Sequence, residues 1–319
     1  MDRRTFIGAL IGTAGFPLVA QTQEAGRVYR LGVLIPADRA SIETFFAELR
    51  SNGFIEGQNL EVIGSYSVRA EQIVENVAPL LNAAPDVILC GPETYARALV
   101  GATRTIPLDS MSEDLVGEGF AASLAKPGGN VTGISLLSPE LDGKRLEILI
   151  EAVPGVSKIA ALVHAPIATK AHLEEQQALA RSRGLELVVH SFVTAEDIPP
   201  ALDAAKAGGA QAINFLATPH QVISRNVILD HTPKIGLPTI YQWPEMPEQG
   251  GLIAYGPPFR QMYRQRARQV VKMLRGAKAA DVPVEQPSNF ELVINLKTAK
   301  AIGLELPAGL VARADRVIE

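Results

Sequence analysis

Short apolar runs alternate along this chain with stretches in which apolar residues recur every three to four positions. Val28–Ile35, closed by Pro36, reads as a buried strand. Ile42, Phe45, Phe46 and Leu49 then fall at i, i+3, i+4 and i+7, one face of a helix that stops near Gly53. Leu60–Gly64 is strand-like, and Ile73, Val74, Val77 and Leu81 mark a second helical stripe. Asp86–Cys90 forms a third strand, followed by Gly91-Pro92-Glu93-Thr94 and a helix to Val100. A fourth strand starts at Ile106–Leu108 and a fifth covers Val131–Ser135. A strand spacing of about 20 to 30 residues is that of βαβ units, whose right-handed crossovers build a parallel sheet covered by helices on both faces.

The pattern restarts at Ser138-Pro139, which caps a helix through Leu146, Leu149 and Ile150. Strands are predicted at Ile159–Val163, Leu185–Val189, Ala212–Leu216, Thr239–Tyr241 and Leu252–Tyr255, with helices around Ala171–Arg183, Glu196–Ala207 and Val222–His231. A long helix over Pro258–Arg275 turns Phe259, Met262, Tyr263, Val270 and Leu274 inward. The fold class is therefore α/β, with two Rossmann-like doubly wound lobes of similar size and no low-complexity linker between them.

Composition narrows the function. The 319 residues carry a formal charge of −4 and 20% charged residues, a weakly acidic balance unsuited to nucleic acid. The single cysteine, Cys90, excludes an intrachain disulfide framework and a Cys-rich zinc module. Arg3-Arg4-Thr5-Phe6-Ile7 followed by an uncharged apolar run to Ala20 reads as a signal peptide over residues 1–20 of twin-arginine character, and so as export to the periplasm by the twin-arginine or general secretory route. The run is shorter than a membrane span.

Catalytic and cofactor signatures are missing: no phosphate-binding loop with Lys-Ser/Thr, no Gly-x-Gly-x-x-Gly after the first strand, no Gly-x-Ser-x-Gly elbow, and no metal-ligand spacing among the five histidines. No cofactor and no metal is expected. Arg260, Arg264, Arg266, Arg268, Lys272, Arg275 and Lys278 make the long helix basic, which suits a solvated face or docking to an acidic surface. In open α/β sheets ligands bind beyond the carboxyl ends of the strands, where helix N-termini attract anions. That rule makes Ala37, Asp38, Gly91, Pro92, Glu93, Thr94, Ser112 and Asp114 the candidates in the first half. His164, Thr169, Thr218, Tyr241 and Trp243 are those in the second, each equally suited to a turn or cap. Tyr95, Tyr241, Trp243 and Tyr255 offer apolar walls for an aromatic or branched ligand.

Three stretches carry a family resemblance: Gly53-Phe-Ile-Glu-Gly-Gln-Asn59; Ala121-Ala-Ser-Leu-Ala-Lys-Pro-Gly-Gly-Asn-Val-Thr-Gly133; and Gln286-Pro287 with Phe290-Glu-Leu-Val-Ile-Asn-Leu-Lys-Thr-Ala-Lys-Ala301. The chain resembles the bacterial ABC-transporter substrate-binding proteins of the tryptophan/tyrosine-transporter type. The resemblance implies a periplasmic binding protein of type I, two lobes joined by three crossovers with the ligand between them. The lobes would be residues 27–135 plus 253–287 and residues 138–250 plus 288–319, with hinges near Gly133–Ser138, Gln249–Gly256 and Pro287–Asn289. It further implies a monomer that captures a small polar or aromatic solute, an amino acid or related molecule, by closure, and passes it to a membrane permease served by an ATPase. Glu93 stands where the family usually has a small or hydroxyl residue, and Glu113-Asp114 where it usually has Ser-Asp. A cleft-facing carboxylate at 93 would favour an amine or hydroxyl donor. The alternatives are an exported sensor module for a receptor, and an exported enzyme using Glu93 and Asp114 as its acid–base pair.

Overall fold

A computed structural model describes residues 26–136, 139–218 and 220–319, with the backbone alone at 139 and 140. The expected signal peptide, residues 1–20, and the Ser138 end of the first expected hinge lie outside the described residues.

The first lobe runs β1 (Tyr29–Leu34), α1 (Glu43–Ser51), β2 (Leu60–Ser65), α2 (Ile73–Asn82), β3 (Val87–Cys90), α3 (Glu93–Ala102), β4 (Leu108–Ser112) and β5 (Val131–Ser135). Its five strands are all parallel, in the order β2-β1-β3-β4-β5. Alternation along the strands sends side chains to two separate cores: Leu31, Val33, Val87 and Leu89 to one face, Leu34, Ile88 and Cys90 to the other. The Ile42, Phe45, Phe46 and Leu49 stripe is buried as expected. The second stripe is corrected: Val74 is 79% exposed, and Ile73, Val77 and Leu80, at i, i+4 and i+7, form the buried face.

The second lobe begins with α4 (Pro139–Ala152) and continues β6 (Lys158–His164), α5 (Lys170–Ser182), β7 (Glu186–Phe192), α6 (Ile198–Ala207), β8 (Ala212–Phe215), α7 (His220–Ile223), α8 (Arg225–Ile235), β9 (Thr239–Tyr241), α9 (Glu245–Glu248) and β10 (Ile253–Gly256). Next come α10 (Phe259–Leu274), β11 (Glu291–Asn295), α11 (Leu296–Ala301), α12 (Ala308–Ala312) and β12 (Arg316–Ile318). The seven strands are ordered β12-β11-β10-β9-β8-β6-β7, parallel except where β11 runs against β10. Strand β10 pairs with β9 and β11, so residues 253–256 belong to this sheet and not, as the expected division had it, with residues 27–135.

The chain crosses between the lobes after β5, after β10 and before β11. Helix α10 returns to pack on α1, and Glu285 bridges to Ile134 before the chain leaves again for β11. One continuous apolar cluster joins the inner faces of both sheets through Trp243, Phe259 and Tyr263. Gly133, next to the first crossing, holds a φ of 138°, and a Cβ there would stand 1.8 Å from Ser110 O, so only glycine fits.

Helix α10 buries the five predicted apolar residues, and Arg266 and Gln269 with them. Arg266 donates Nε to Asp109 Oδ1 at 2.5 Å and Nη2 to the carbonyls of Cys90 and Asp109, both at 2.7 Å. The remaining basic residues of this helix meet acidic partners within the chain: Arg264 and Arg268 face Glu48, Arg260 faces Glu248 and Glu291, and Lys272 faces Glu285.

Candidate functional site: the cleft between the lobes

A cavity of about 710 Å³ opens between the two sheets. Its position follows from topology. In both lobes the strand order reverses beside the first strand of the lobe, at β1/β3 and at β6/β8. Such switch points splay the following loops apart and leave a crevice at the carboxyl ends. The wall accordingly takes Pro36, Ala37 and Asp38 after β1, Gly91 to Tyr95 apart from Glu93 after β3, His164 and Pro166 after β6, and His220 after β8. The loops after β2 and β7 close two sides with Ser67–Glu71 and Val193–Glu196. Met111, Phe259, Tyr263 and Arg266 form part of the wall from β4 and α10.

Close approach shapes the floor. A Cβ at Gly91 would lie 2.7 Å from the Tyr95 ring and 2.9 Å from Pro36 Cδ, so a side chain there would have to displace both. The Tyr95 hydroxyl donates to Val68 O, which ties α3 to the loop after β2, and burial raises its pKa.

On the second lobe His164 and His220 stack with ring centroids 3.8 Å apart. Burial, and then the neighbouring His164, drives the His220 pKa down to about 3; burial also lowers that of His164. The two rings are a neutral aromatic surface at pH 7. The walls come together at an ion pair: Asp38 Oδ2 of the first lobe accepts from Arg225 Nη2 of the second at 3.3 Å. Asp38 Oδ1 accepts from the Ser41 backbone N–H at 2.8 Å, and this bond, aided by Arg225, lowers the carboxyl pKa.

Ala37, Asp38, Gly91, Pro92, Thr94 and His164 thus line the cavity, as does Tyr95 of the expected apolar walls, and the other sequence candidates do not. Glu93 sits beside Thr94 at the start of α3 but turns away, and burial raises its pKa. Ser112 lies one residue past Met111, on the opposite face of β4, and donates to Glu118. Asp114 accepts from the backbone N–H groups of Val116 and Gly117. Glu93 and Asp114 therefore do not form an acid–base pair in the cleft. Thr169 caps α5 by accepting from His172 N. Thr218 donates its backbone N–H to Gln242, inside the second lobe. Tyr241 stacks on Phe215 at 4.9 Å in the core; Trp243 stands behind Phe259 at 5.3 Å, edge to face; Tyr255 packs near Phe290.

The residues that strand-end reasoning missed are Arg225, Tyr263 and the loops after β2 and β7. Those loops obey the same rule and were within its reach. Arg225 lies inside the helix expected around Val222–His231, which the structure breaks into α7 and α8; as the first residue of α8 it stands several residues beyond the end of β8, outside the strand-end rule.

A family model described as ABC transporter substrate binding protein matches residues 34–318. The chain belongs to that family. Like its other members it is a substrate-binding protein of the type I fold. The tyrosine-binding protein of Clostridioides difficile (strain R20291) is 23% identical over 266 residues, 82% of this chain and 76% of the relative. A conserved domain protein from Vibrio cholerae superposes with a TM-score of 0.81 at 25% identity, over 91% of this chain and 100% of the other. An ABC domain from Streptococcus pneumoniae, solved in complex with L-Trp, gives 0.79 at 23% identity over the same shares. Among the described residues no helix is long and apolar enough to cross a membrane.

Proposed function

We propose that this substrate-binding protein captures an amino acid or a closely related small molecule in the cleft between its lobes, without altering it, and hands it to a membrane permease powered by an ATPase. The observation that carries the reading is the cavity itself: about 710 Å³, built by strand ends from both lobes, so that one ligand touches both half-sites. A ligand that contacts both lobes favours the closed arrangement by its differential affinity. The L-Trp bound to the pneumococcal neighbour and the tyrosine named for the clostridial relative set the size class. Met111, Phe259, Tyr263 and the neutral histidine pair supply a wall suited to an apolar side chain. Export to the periplasm and a monomeric state belong to the same reading. The chain has three crossings at which closure can pivot, one of them beside Gly133.

The test is a thermal-shift and small-angle scattering screen of the chain lacking residues 1–20 against the twenty amino acids, aromatic acids and small carboxylates. A binder present at 100 times its Kd raises stability by about 2.7 kcal/mol and shrinks the radius of gyration. If no compound moves either quantity, the reading is wrong.

A further inference from the structure

We propose that Asp38 and Arg225 read the two charges of an amino-acid zwitterion, the ligand's ammonium taking Asp38 and its carboxylate taking Arg225. This rests on the binding function just proposed and goes on to say which groups of the ligand are recognised, and by what.

The charged side chains on the cavity wall are Asp38, Arg69, Glu71, Glu196, Arg225 and Arg266. Four of them are committed elsewhere or stand on the rim. Arg266 is held by Asp109 and two carbonyls. Arg69 and Glu71 pair with each other at 2.7 Å, with side chains 71% and 66% exposed. Glu196 is exposed and bonded to its own backbone and to Thr194. That leaves one anion and one cation, on opposite lobes, 3.3 Å apart.

Both partners are fixed from behind. The Ser41 backbone N–H holds one oxygen of Asp38, and Val222 O accepts from Arg225 Nη1 at 3.2 Å. The outward atoms, Asp38 Oδ2 and Arg225 Nη2, meet each other across the gap. A ligand carrying a carboxylate alone takes Arg225 and strands Asp38. One carrying an amine alone strands Arg225. A ligand with both charges on one carbon replaces the single ion pair with two charge-assisted pairs and leaves neither protein group unmatched. The histidine stack strengthens the assignment: His164 and His220 are neutral at pH 7 and do not compete with Arg225 for the carboxylate.

The experiment is calorimetric titration of the chain lacking residues 1–20, with three forms of one scaffold: L-tyrosine, tyramine, which lacks the carboxylate, and 3-(4-hydroxyphenyl)propionate, which lacks the amine. The same series is run with L-tryptophan, tryptamine and indole-3-propionate, and with L-leucine, isopentylamine and 4-methylpentanoate. Wild type, Asp38→Asn and Arg225→Gln are compared, and their melting curves check folding. At least one amino acid is expected to bind wild type about 10- to 150-fold more tightly than either of its truncated forms. Asp38→Asn should weaken the amino acid by a similar factor while tightening the amine-free acid, which no longer strands a carboxylate, and Arg225→Gln should likewise weaken the amino acid while tightening the amine. A truncated compound that binds as well as its amino acid overturns the assignment. So does a substitution that weakens all three forms alike, which would mark a merely structural pair. Should only uncharged solutes from a wider screen bind, the zwitterion assignment and the amino-acid ligand class both fall, while capture of a small solute between the lobes stands. If nothing binds, all three fall.

Discussion

Replacing Arg266 with alanine removes the cation that makes the first lobe's buried Asp109 tolerable. Arg266 is 1% exposed and Asp109 is fully buried. The substitution takes away the 2.5 Å ion pair and both carbonyl contacts, to Cys90 and to Asp109 itself. Breaking a buried pair by deleting one partner costs about 3–5 kcal/mol, because the remaining charge is desolvated and unmatched. The cost should also depend on pH in a defined direction. Burial already raises the Asp109 carboxyl to about 6 against the downward pull of Arg266, and without Arg266 it rises further. A carboxyl raised above its unfolded value of 3.8 favours the folded state while protonated, and that advantage is lost as pH climbs through the folded pKa. Urea denaturation of Arg266→Ala at pH 5 and pH 8 should therefore show the larger deficit against wild type at pH 8. The double variant Asp109→Leu/Arg266→Met should recover most of the loss, since apolar replacement of a buried pair is often neutral or better. A deficit under about 1 kcal/mol, or one independent of pH, would refute the reasoning.

The His164–His220 stack predicts acid sensitivity. The His220 pKa lies at about 3 in the fold against 6.5 unfolded, so stability is complete above pH 6.5 and is lost as pH falls towards 3; His220→Gln should flatten melting temperature against pH across that window. Gly133→Ala should destabilise by more than the roughly 1 kcal/mol of an ordinary glycine replacement, because its Cβ would overlap Ser110 O; a melting temperature equal to wild type would contradict the geometry. Cys90 is fully buried with its thiol pushed up to about 12, so Ellman's reagent should label it only after denaturation.

The lobes, the strand spacing and the long helix were legible in the sequence because they are written in apolar periodicity. The Ile42–Leu49 stripe and the alternating runs of β1 and β3 leave little choice of element. Strands β11 and β12 were not placed by periodicity: β12 is three residues long with every side chain half-buried, and β11 enters antiparallel after a long excursion through α10. The same excursion misled the division of the chain, since β10 and α10 are adjacent in sequence but serve different lobes.

The site was legible only to the resolution of the loop. The strand-end rule located Asp38, Gly91 and His164, and it failed where neighbours on one element diverge. Thr94 faces the cavity and Glu93 does not, because successive residues on a helix point about 100° apart. Met111 faces it and Ser112 does not, because strands alternate. Register of that kind is fixed by packing across the sheet, which a single sequence does not display. The two charges that span the cleft were hidden for a related reason. Asp38 and Arg225 are 187 residues apart and carry no shared motif; only the folding of two similar lobes towards each other makes them neighbours. Recognition in a two-lobed protein is therefore read from pairs across the gap, and the charge at any one strand end decides little until its opposite number is known.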